Sequence, residues 1–416
     1  MKRKSVRDIN VSGLRVLIRA DLNVPLDDRQ HITDDARIRK FLPTLDYVVE
    51  HGGRAIVMSH LGRPTGDPDK DRKLSLRPVA DRIAELTGRA CKFVESITGP
   101  EALAASSGLG DGETLLLENL RFDPAETIID KAKKNPSGKL TPAQEEARQV
   151  FARALAAHGD AYVNDAFGTC HRKHVSMYDV PRLIQPGLRV VGFLVEKELM
   201  YLGRAIESPK RPFVAILGGA KVSDKIGVIR NLLDKVDHIL IGGAMMFTFW
   251  AACDRAVGKS LCERDKLDLA RELLDAGGDK LQLPSDCVAA AELREGVEST
   301  VVAGELPPNL MGLDIGPQTL EAFKRIIASA GTIVWNGPVG AFEVKPFDAG
   351  TFAIAHAIAE ATDQGAVSVI GGGDSAAAVA QAGLAERMTH VSTGGGASLK
   401  FLEGKRFEAL EVLDQA

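Results

Sequence analysis

The sequence has little of several things that would narrow its function early. Its five cysteines (Cys91, Cys170, Cys253, Cys262 and Cys287) lie far apart, and none forms a C-x-x-C pair. Disulfide scaffolds and compact zinc sites are therefore excluded, and reduced, buried thiols in a cytoplasmic protein are the expectation. Aromatic residues make up only 5% of the chain. No apolar run is long enough to span a bilayer: the most apolar stretch, 239–253, is short and holds two glycines. It reads as a buried strand entering a buried helix. The N-terminal residues alternate charge with apolar side chains and lack a signal-peptide core, so no membrane association is expected. The net charge of −4 supplies no basic field for nucleic acid. A phosphate-binding P-loop is missing too. The tempting "VGKS" at 257–260 would need glycine at 253, where Cys253 stands.

What the chain does have is length, 416 residues, and an ordinary balance of 45% apolar and 26% charged residues. That is too long for one core and suggests two domains of about 200 residues. Short apolar runs alternate with helical patterns: strands at 15–21, 54–59, 91–95, 114–118 and 160–165, then at 213–217, 238–241, 286–290, 332–335, 366–370 and 389–392. Helical patterns cover 34–50 and 76–87. The expected fold class is α/β, with two Rossmann-like lobes, each a mostly parallel sheet with helices on both faces. A boundary is expected near 183–212, where Pro186, Gly187, Pro209 and Pro212 flank a helical pattern. The first domain then spans 1–188 with the tail 405–416, and the second 189–404, with a hinge helix near 189–206. The polar stretch 123–146 is expected as an exposed excursion.

In parallel sheets ligands gather at the carboxyl ends of strands. In the first half those ends carry basic residues: "RADLNVP" (Asp21, Asn23), "SHLGRP" (His60, Arg63), "ENLRF" (Arg121) and "VNDAFGTCHRKHVS" (His171, Arg172, Lys173, His174). Arg37 opens the helix at 34–50. If these ends converge, four arginines share one crevice, and only a multiply charged small anion fits it. Taken singly, each arginine could instead be a surface residue paired with an acid.

In the second half the strand ends carry glycine. "LGGAKVSDKI" offers two glycines, then Lys221 and Lys225, expected one helical turn apart on one face. "IGG", "WNGPVGAFE", "IGGGDS" and "TGGGAS" follow four more strands. Backbone-lined nucleotide contact and glycine for tight turns are both open readings. Residues 371–376 fit G-x-G-x-x-A, so a dinucleotide-dependent dehydrogenase is a rival. Its fingerprint needs an acid about twenty residues on, where Ser392-Thr393-Gly394 stand instead. Asp374, set inside a phosphate-shaped loop, suits Mg²⁺ carried in with phosphate oxygens; it or Ser375 could equally be an N-cap.

Together these blocks, with "MGLDIGP" at 311–317, closely resemble the phosphoglycerate kinase family, in the family's order over about residues 15 to 404. The resemblance implies reversible, glycolytic transfer of the 1-phosphoryl group of 1,3-bisphosphoglycerate to Mg-ADP, giving 3-phosphoglycerate and ATP, with lobe closure and a monomeric state. It implies that Asp21, Leu22, Asn23, Arg37, His60, Leu61, Gly62, Arg63, Arg121 and Arg172 bind the triose acid. It implies that Gly219, Ala220, Lys225, Gly243, Gly312, Leu313, Asn336, Pro338, Glu343, Gly372, Gly373, Asp374 and Ser375 bind nucleotide, Asp374 with the metal. Arg37, Lys221, Gly394 and Gly395 would serve the migrating phosphoryl group. The chain departs from the family's usual pattern at Cys170, Lys173 and Lys400, the last standing where an acid is usual. The rival of a non-catalytic binding protein would require loss of Arg37, Lys221 or Asp374, and all three are present.

Overall fold

The computed structural model describes residues 2–416. The chain divides into two units, residues 1–199 with 406–416, and residues 200–405.

The first unit is built on six parallel strands: β1 (Arg15–Ala20), β2 (Arg54–Met58), β3 (Cys91–Val94), β4 (Thr114–Leu117), β5 (Ala161–Asp165) and β6 (Arg189–Val191). Their order across the sheet is β3-β4-β2-β1-β5-β6. Val16, Leu17 and Ile18 of β1 are all fully buried. A strand buried on both faces needs helices on both sides, which is why it reads as a continuous apolar run rather than an alternating one. The helix Ala36–Glu50 places Ile38, Phe41, Leu45 and Val48 in the core, at three- and four-residue spacing. Burying each such side chain contributes about 1.5–3 kcal/mol.

The strand β6 did not register as a strand in the sequence, being three residues long. It pairs parallel with β5, Val163 opposite Val190, and so belongs to the first unit, on the other side of the expected boundary at 188/189. The helix that follows is Phe193–Glu207, and the division of units falls within it. The C-terminal tail is tied into the first unit: Arg189 Nη2 donates to Asp414 Oδ1 at 2.8 Å, and Arg3 Nη1 to Leu413 O at 2.8 Å.

The second unit adds β7 (Phe213–Leu217), β8 (His238–Ile241), β9 (Leu281–Gln282), β10 (Asp286–Ala290), β11 (Ser299–Ala303), β12 (Met311–Ile315), β13 (Thr332–Asn336), β14 (Val367–Gly371) and β15 (His390–Val391). Six of them form a parallel sheet, β15-β14-β13-β7-β8-β9. Counted within that sheet this is the order 3-2-1-4-5-6 of doubly wound nucleotide-binding folds. The apolar stretch 239–253 is a buried strand running into the helix Met245–Ala252, all of whose residues are buried. No helix among the described residues is long and apolar enough to cross a membrane.

Three expectations change. The strand at 286–290 lies in a separate three-stranded antiparallel sheet, β11-β10-β12, because β11 and β12, which the sequence reading missed, flank it on both sides. The 123–146 segment is not simply exposed: Ala125, Glu126 and Ile128 are buried, and Glu126 accepts from Ser176 N at 2.9 Å and Ser176 Oγ at 2.6 Å. All five cysteines are free, but only Cys170 and Cys287 are buried, and Cys253 is exposed. Burial pushes the Cys170 thiol well above its ordinary value and the Cys287 thiol up to about 12, so neither is a nucleophile.

Candidate functional site

The first unit brings its basic residues together at the carboxyl ends of β1, β2, β4 and β5. A chain of hydrogen bonds joins three of those ends. Gly62 N donates to Asn23 Oδ1 at 2.8 Å, and Arg121 Nη1 donates to Gly62 O at 2.6 Å. Arg37 Nη1 lies 2.7 Å from Asp21 Oδ1. Leu22 is held by its backbone, whose N–H donates to Ser59 Oγ at 2.9 Å. Burial, then the charges of Arg19 and Arg172, holds the Arg121 guanidinium down at about 10. A cation destabilised by other cations is one that gains from an incoming anion. Arg172 sits 3.7 Å from Asp130, which also lies 3.5 Å from His174 Nε2. Arg63 is exposed and makes no hydrogen bond or ion pair among the described residues.

His60 is buried, and its pKa falls well below the ordinary value. Burial is the first cause and the charges of Arg19, Arg121, His174 and Arg37 add to it. Arg19 Nη2 is 3.1 Å from His60 Nδ1. Arginine can only donate, so Nδ1 carries the lone pair and the proton rests on Nε2. The imidazole is neutral and presents a single N–H.

Sequence reasoning passed over two residues that shape this crevice. Asn119 Nδ2 donates to Leu61 O at 2.8 Å and to Leu74 O at 2.9 Å, while its Oδ1 accepts from Leu61 N and Arg121 N at 3.2 and 3.1 Å. One buried amide thus sets the backbone of both the β2 and the β4 loops. Arg19 is fully buried; its Nε donates to Ser176 Oγ at 2.9 Å, and Ser176 donates in turn to Glu126. The available signal was an arginine inside an otherwise apolar strand, "RVLIRA".

In the second unit a cavity of about 680 Å³ opens at the carboxyl ends of β7, β13 and β14. It is lined by Gly219, Ala220, Lys221, Lys225, Asn336 and Pro338, by Gly372, Gly373, Asp374 and Ser375, and by Gly395. The two lysines are not on a helix, as the four-residue spacing suggested. They lie in the turn before the helix Ile226–Leu233, with Lys225 as its N-cap. The glycines at 218–219 end the helical pattern's reach, and the turn delivers both ammonium groups to the cavity instead. Lys225 is buried and donates to Asn336 Oδ1; burial lowers its pKa, and Asp224, Asp374 and Glu403 offset part of that. The Nδ2 of Asn336 is buried with no partner among the described residues. Ser375 Oγ accepts from Gly337 N at 2.6 Å, tying the β14 loop to the β13 loop.

Asp374 projects from the first turn of the helix Gly373–Gln381 and makes no hydrogen bond or ion pair among the described residues; the same holds for Asp224. Neither is a group of three acids or histidines able to hold a metal by itself, and no such group exists among the described residues. One or two carboxylates beside a cavity lined by glycines and lysines fit Mg²⁺, which keeps most of its ligands from water and from any phosphate bound there.

Five of the second unit's candidates lie off this cavity. Gly394 donates its N–H to Ser392 Oγ at 3.0 Å, so that amide is committed within the loop. Gly243 is buried at φ +66, where a Cβ would lie 2.5 Å from Gly219 N. Its role is to let two loops interlock. Gly312, Leu313 and Glu343 gather at β12: a Cβ on Gly312 would lie 2.0 Å from Phe247 Cζ, Leu313 O accepts from Ala341 N at 2.8 Å, and Glu343 is exposed two residues further on.

The G-x-G-x-x-A run follows β14, the fifth strand in the count above. A dinucleotide fingerprint belongs to the first βα turn of such a sheet, so the dehydrogenase reading has no support in the topology. The family model for phosphoglycerate kinase matches residues 6–405. The chain belongs to the phosphoglycerate kinase family. A phosphoglycerate kinase of Chlorobium phaeobacteroides (strain BS1) is 51% identical over 418 residues, and one of Rhodopirellula baltica 53% identical over 419, each covering 100% of both chains. The solved structure of phosphoglycerate kinase from Coxiella burnetii is 37% identical, superimposes with a TM-score of 0.84, and covers 99% of this chain and 98% of that one. Kinase and glycolytic activity, with a three-carbon phosphorylated acid and ADP or ATP as substrates, follow from membership of this phosphoglycerate kinase family.

Proposed function

We infer that the chain transfers the 1-phosphoryl group of 1,3-bisphosphoglycerate reversibly to Mg-ADP, with the triose acid held in the first unit and the nucleotide in the second. The observation that carries this is the contrast of the two sites: a crevice of guanidinium groups in one unit, a glycine-walled lysine cavity in the other.

The basic crevice takes the triose acid through Arg37, Arg121 and Arg172, with Arg63 free to reach the same anion. Leu22, Leu61 and Gly62 form its backbone walls, Asp21 and Asn23 act through their side chains, and neutral His60 donates from Nε2. A β-phosphate oxygen of ADP attacks the acyl phosphorus in line. The P–O bond to the carboxyl group breaks, and the carboxylate of 3-phosphoglycerate leaves with the electron pair. No general base is needed, because in both directions the attacking group is already an anion. A neutral His60 is therefore suited to positioning. The protein's contribution is charge neutralisation and alignment: Arg37 and Lys221 on the migrating group, Lys225, Gly372, Gly373 and Ser375 on the nucleotide phosphates, Gly395 beside them. Mg²⁺, held by Asp374, would offset the negative charge of those phosphate oxygens. Gly312, Leu313, Pro338 and Glu343 would face the nucleoside. Transfer requires the two units to close, which also removes water that would hydrolyse the acyl phosphate. A monomeric, cytoplasmic enzyme is the accompanying proposal.

A coupled assay with 3-phosphoglycerate and Mg-ATP tests the reading. Activity that depends on both substrates and on the divalent cation is expected. Activity with NAD and a hydroxy acid, and none with ATP, would overturn it.

A further inference from the structure

Lys400 stands on the helix Gly396–Leu402, four residues beyond the glycine triplet, and lines the same cavity as Lys221, Lys225 and Asp374. Its Nζ bonds both oxygens of Glu403, at 2.7 and 2.8 Å. The two partners differ in setting. The Lys400 side chain is 46% exposed, whereas that of Glu403 is only 7% exposed, packed where a Cβ on Gly227 would come within 2.9 Å of its Cγ. The carboxylate is thus fixed in the cavity wall and the ammonium sits on its open side.

The charged lining consists of Lys221, Lys225 and Lys400 against Asp224, Asp374 and Glu403. The formal sum is zero, in a cavity whose expected guest carries at least two negative charges. An acid at position 400 would leave the lining two charges more negative. Lys225 lines the same cavity, and the Glu403 charge raises its pKa a little, after Asp224 and Asp374. Lys400 is half exposed, so its pair with Glu403 is a weak, solvent-screened one that can yield to a second anion. A flexible four-carbon stem with a compact ammonium is suited to that change of partner.

We propose that Lys400 is a third phosphate-binding cation of this cavity, kept in place by Glu403 until a nucleoside di- or triphosphate arrives. The inference rests on reading the cavity as the nucleotide phosphate site, and it makes Lys400 a determinant of nucleotide affinity in this chain.

The test is calorimetric titration of the full chain with ADP, with and without Mg²⁺, at low and high salt, beside steady-state kinetics. Lys400→Gln should weaken ADP binding about fivefold and Lys400→Glu about 20-fold, the scale of removing one charge-assisted hydrogen bond and then reversing the charge, while Lys400→Arg stays within about twofold. Both losses should shrink at high salt. The KM for 3-phosphoglycerate should hold within about twofold, since that site is elsewhere. Unchanged ADP affinity in both the Gln and Glu variants overturns the proposal, as do equal rises in the two KM values, which would mean a structural role. A wild-type chain that binds no ADP at all overturns the phosphate-site reading and this inference with it. Normal wild-type binding with silent variants overturns only the inference.

Discussion

On the function proposed above, the two six-stranded sheets would each hold an anion at strand ends, by different means. The first unit does it with side chains: arginines from the loops after β2, β4 and β5 and from one helix, braced by Asp21, Asn23 and Asn119. The second does it with backbone, on loops where glycine packs against glycine. A Cβ on Gly218 would meet Pro338 O at 2.0 Å, and one on Gly337 would meet Gly218 O at 2.3 Å. A guanidinium fork specifies one small acid by its geometry. A glycine wall accepts the repeated oxygens of a polyphosphate and asks for a cation as well. The difference would also decide how each site fails, by losing a charge in the first unit and by losing either space or the Asp374 carboxylate in the second.

The largest effects should come from the two charges that define each side. Arg37→Ala and Asp374→Ala should each lower kcat/KM by about 100-fold or more. In titrations the first should weaken binding of 3-phosphoglycerate and the second binding of Mg-ADP. If each variant weakened both ligands equally, the division of labour between units would be broken.

A glycine pair sharpens the second half of the comparison. Gly243→Ala puts a methyl group into backbone at positive φ and should cost about 3 kcal/mol in urea unfolding. Gly373→Ala, where nothing lies within 4 Å of the new Cβ, should stay within about 0.5 kcal/mol. Equal costs would mean that loop interlocking is not what these glycines are for.

Asn119→Ala is the matching experiment on the first unit. It strands the Leu61 and Leu74 carbonyls and should cost about 2 kcal/mol. It should also raise the KM for the triose acid about tenfold while leaving that for ATP unchanged, because only the β2 and β4 loops lose their brace. An unchanged KM would show that the arginines hold themselves.

The smallest effect concerns pH. Asp165, at the end of β5, accepts from Leu194 N at 2.9 Å, but its Oδ2 has no partner among the described residues. Burial raises its pKa to about 7. A carboxyl raised in the folded state binds a proton there that the unfolded chain has released. Its stabilising contribution is complete below the ordinary carboxylate value and is lost as pH rises to about 7. Asp165→Asn keeps the acceptor and removes the titration, so the fall in melting temperature between about pH 4 and 7 should flatten. An unchanged slope would assign that pH dependence to other groups, Asp314 in the second unit being the first to examine.

Much of this was legible in the sequence. Most strands of the two parallel sheets announced themselves because a strand covered on both faces must be apolar throughout, and the residues after it stood out by contrast. His60, Arg121, Lys221 and Asp374 were singled out that way, and Arg37 from its place at the start of a helix. Four strands were missed: β6 and β9 are three and two residues long, β11 is largely exposed, and β12 alternates buried with half-buried residues and holds Gly312 and Asp314, so none leaves an apolar run. The spacing of Lys221 and Lys225 suggested a helix, but the chain turns there because Gly218 and Gly219 are engaged with the β13 loop.

Composition and pattern by themselves determined the two-lobed α/β architecture, the absence of a P-loop, and which strand ends carry charge and which carry glycine. These are local properties, set by whether a residue can sit between two layers of helix or must face a ligand. Only the tertiary structure decided which loops meet. It made Asn119 the brace between two strand ends, committed Gly394 and Gly243 to their own loops, left Asp374 unpaired, and placed Lys400 on the glycine-walled cavity. Those facts depend on strand order and on contacts between residues far apart in the chain, and nothing in a residue's near neighbours encodes them.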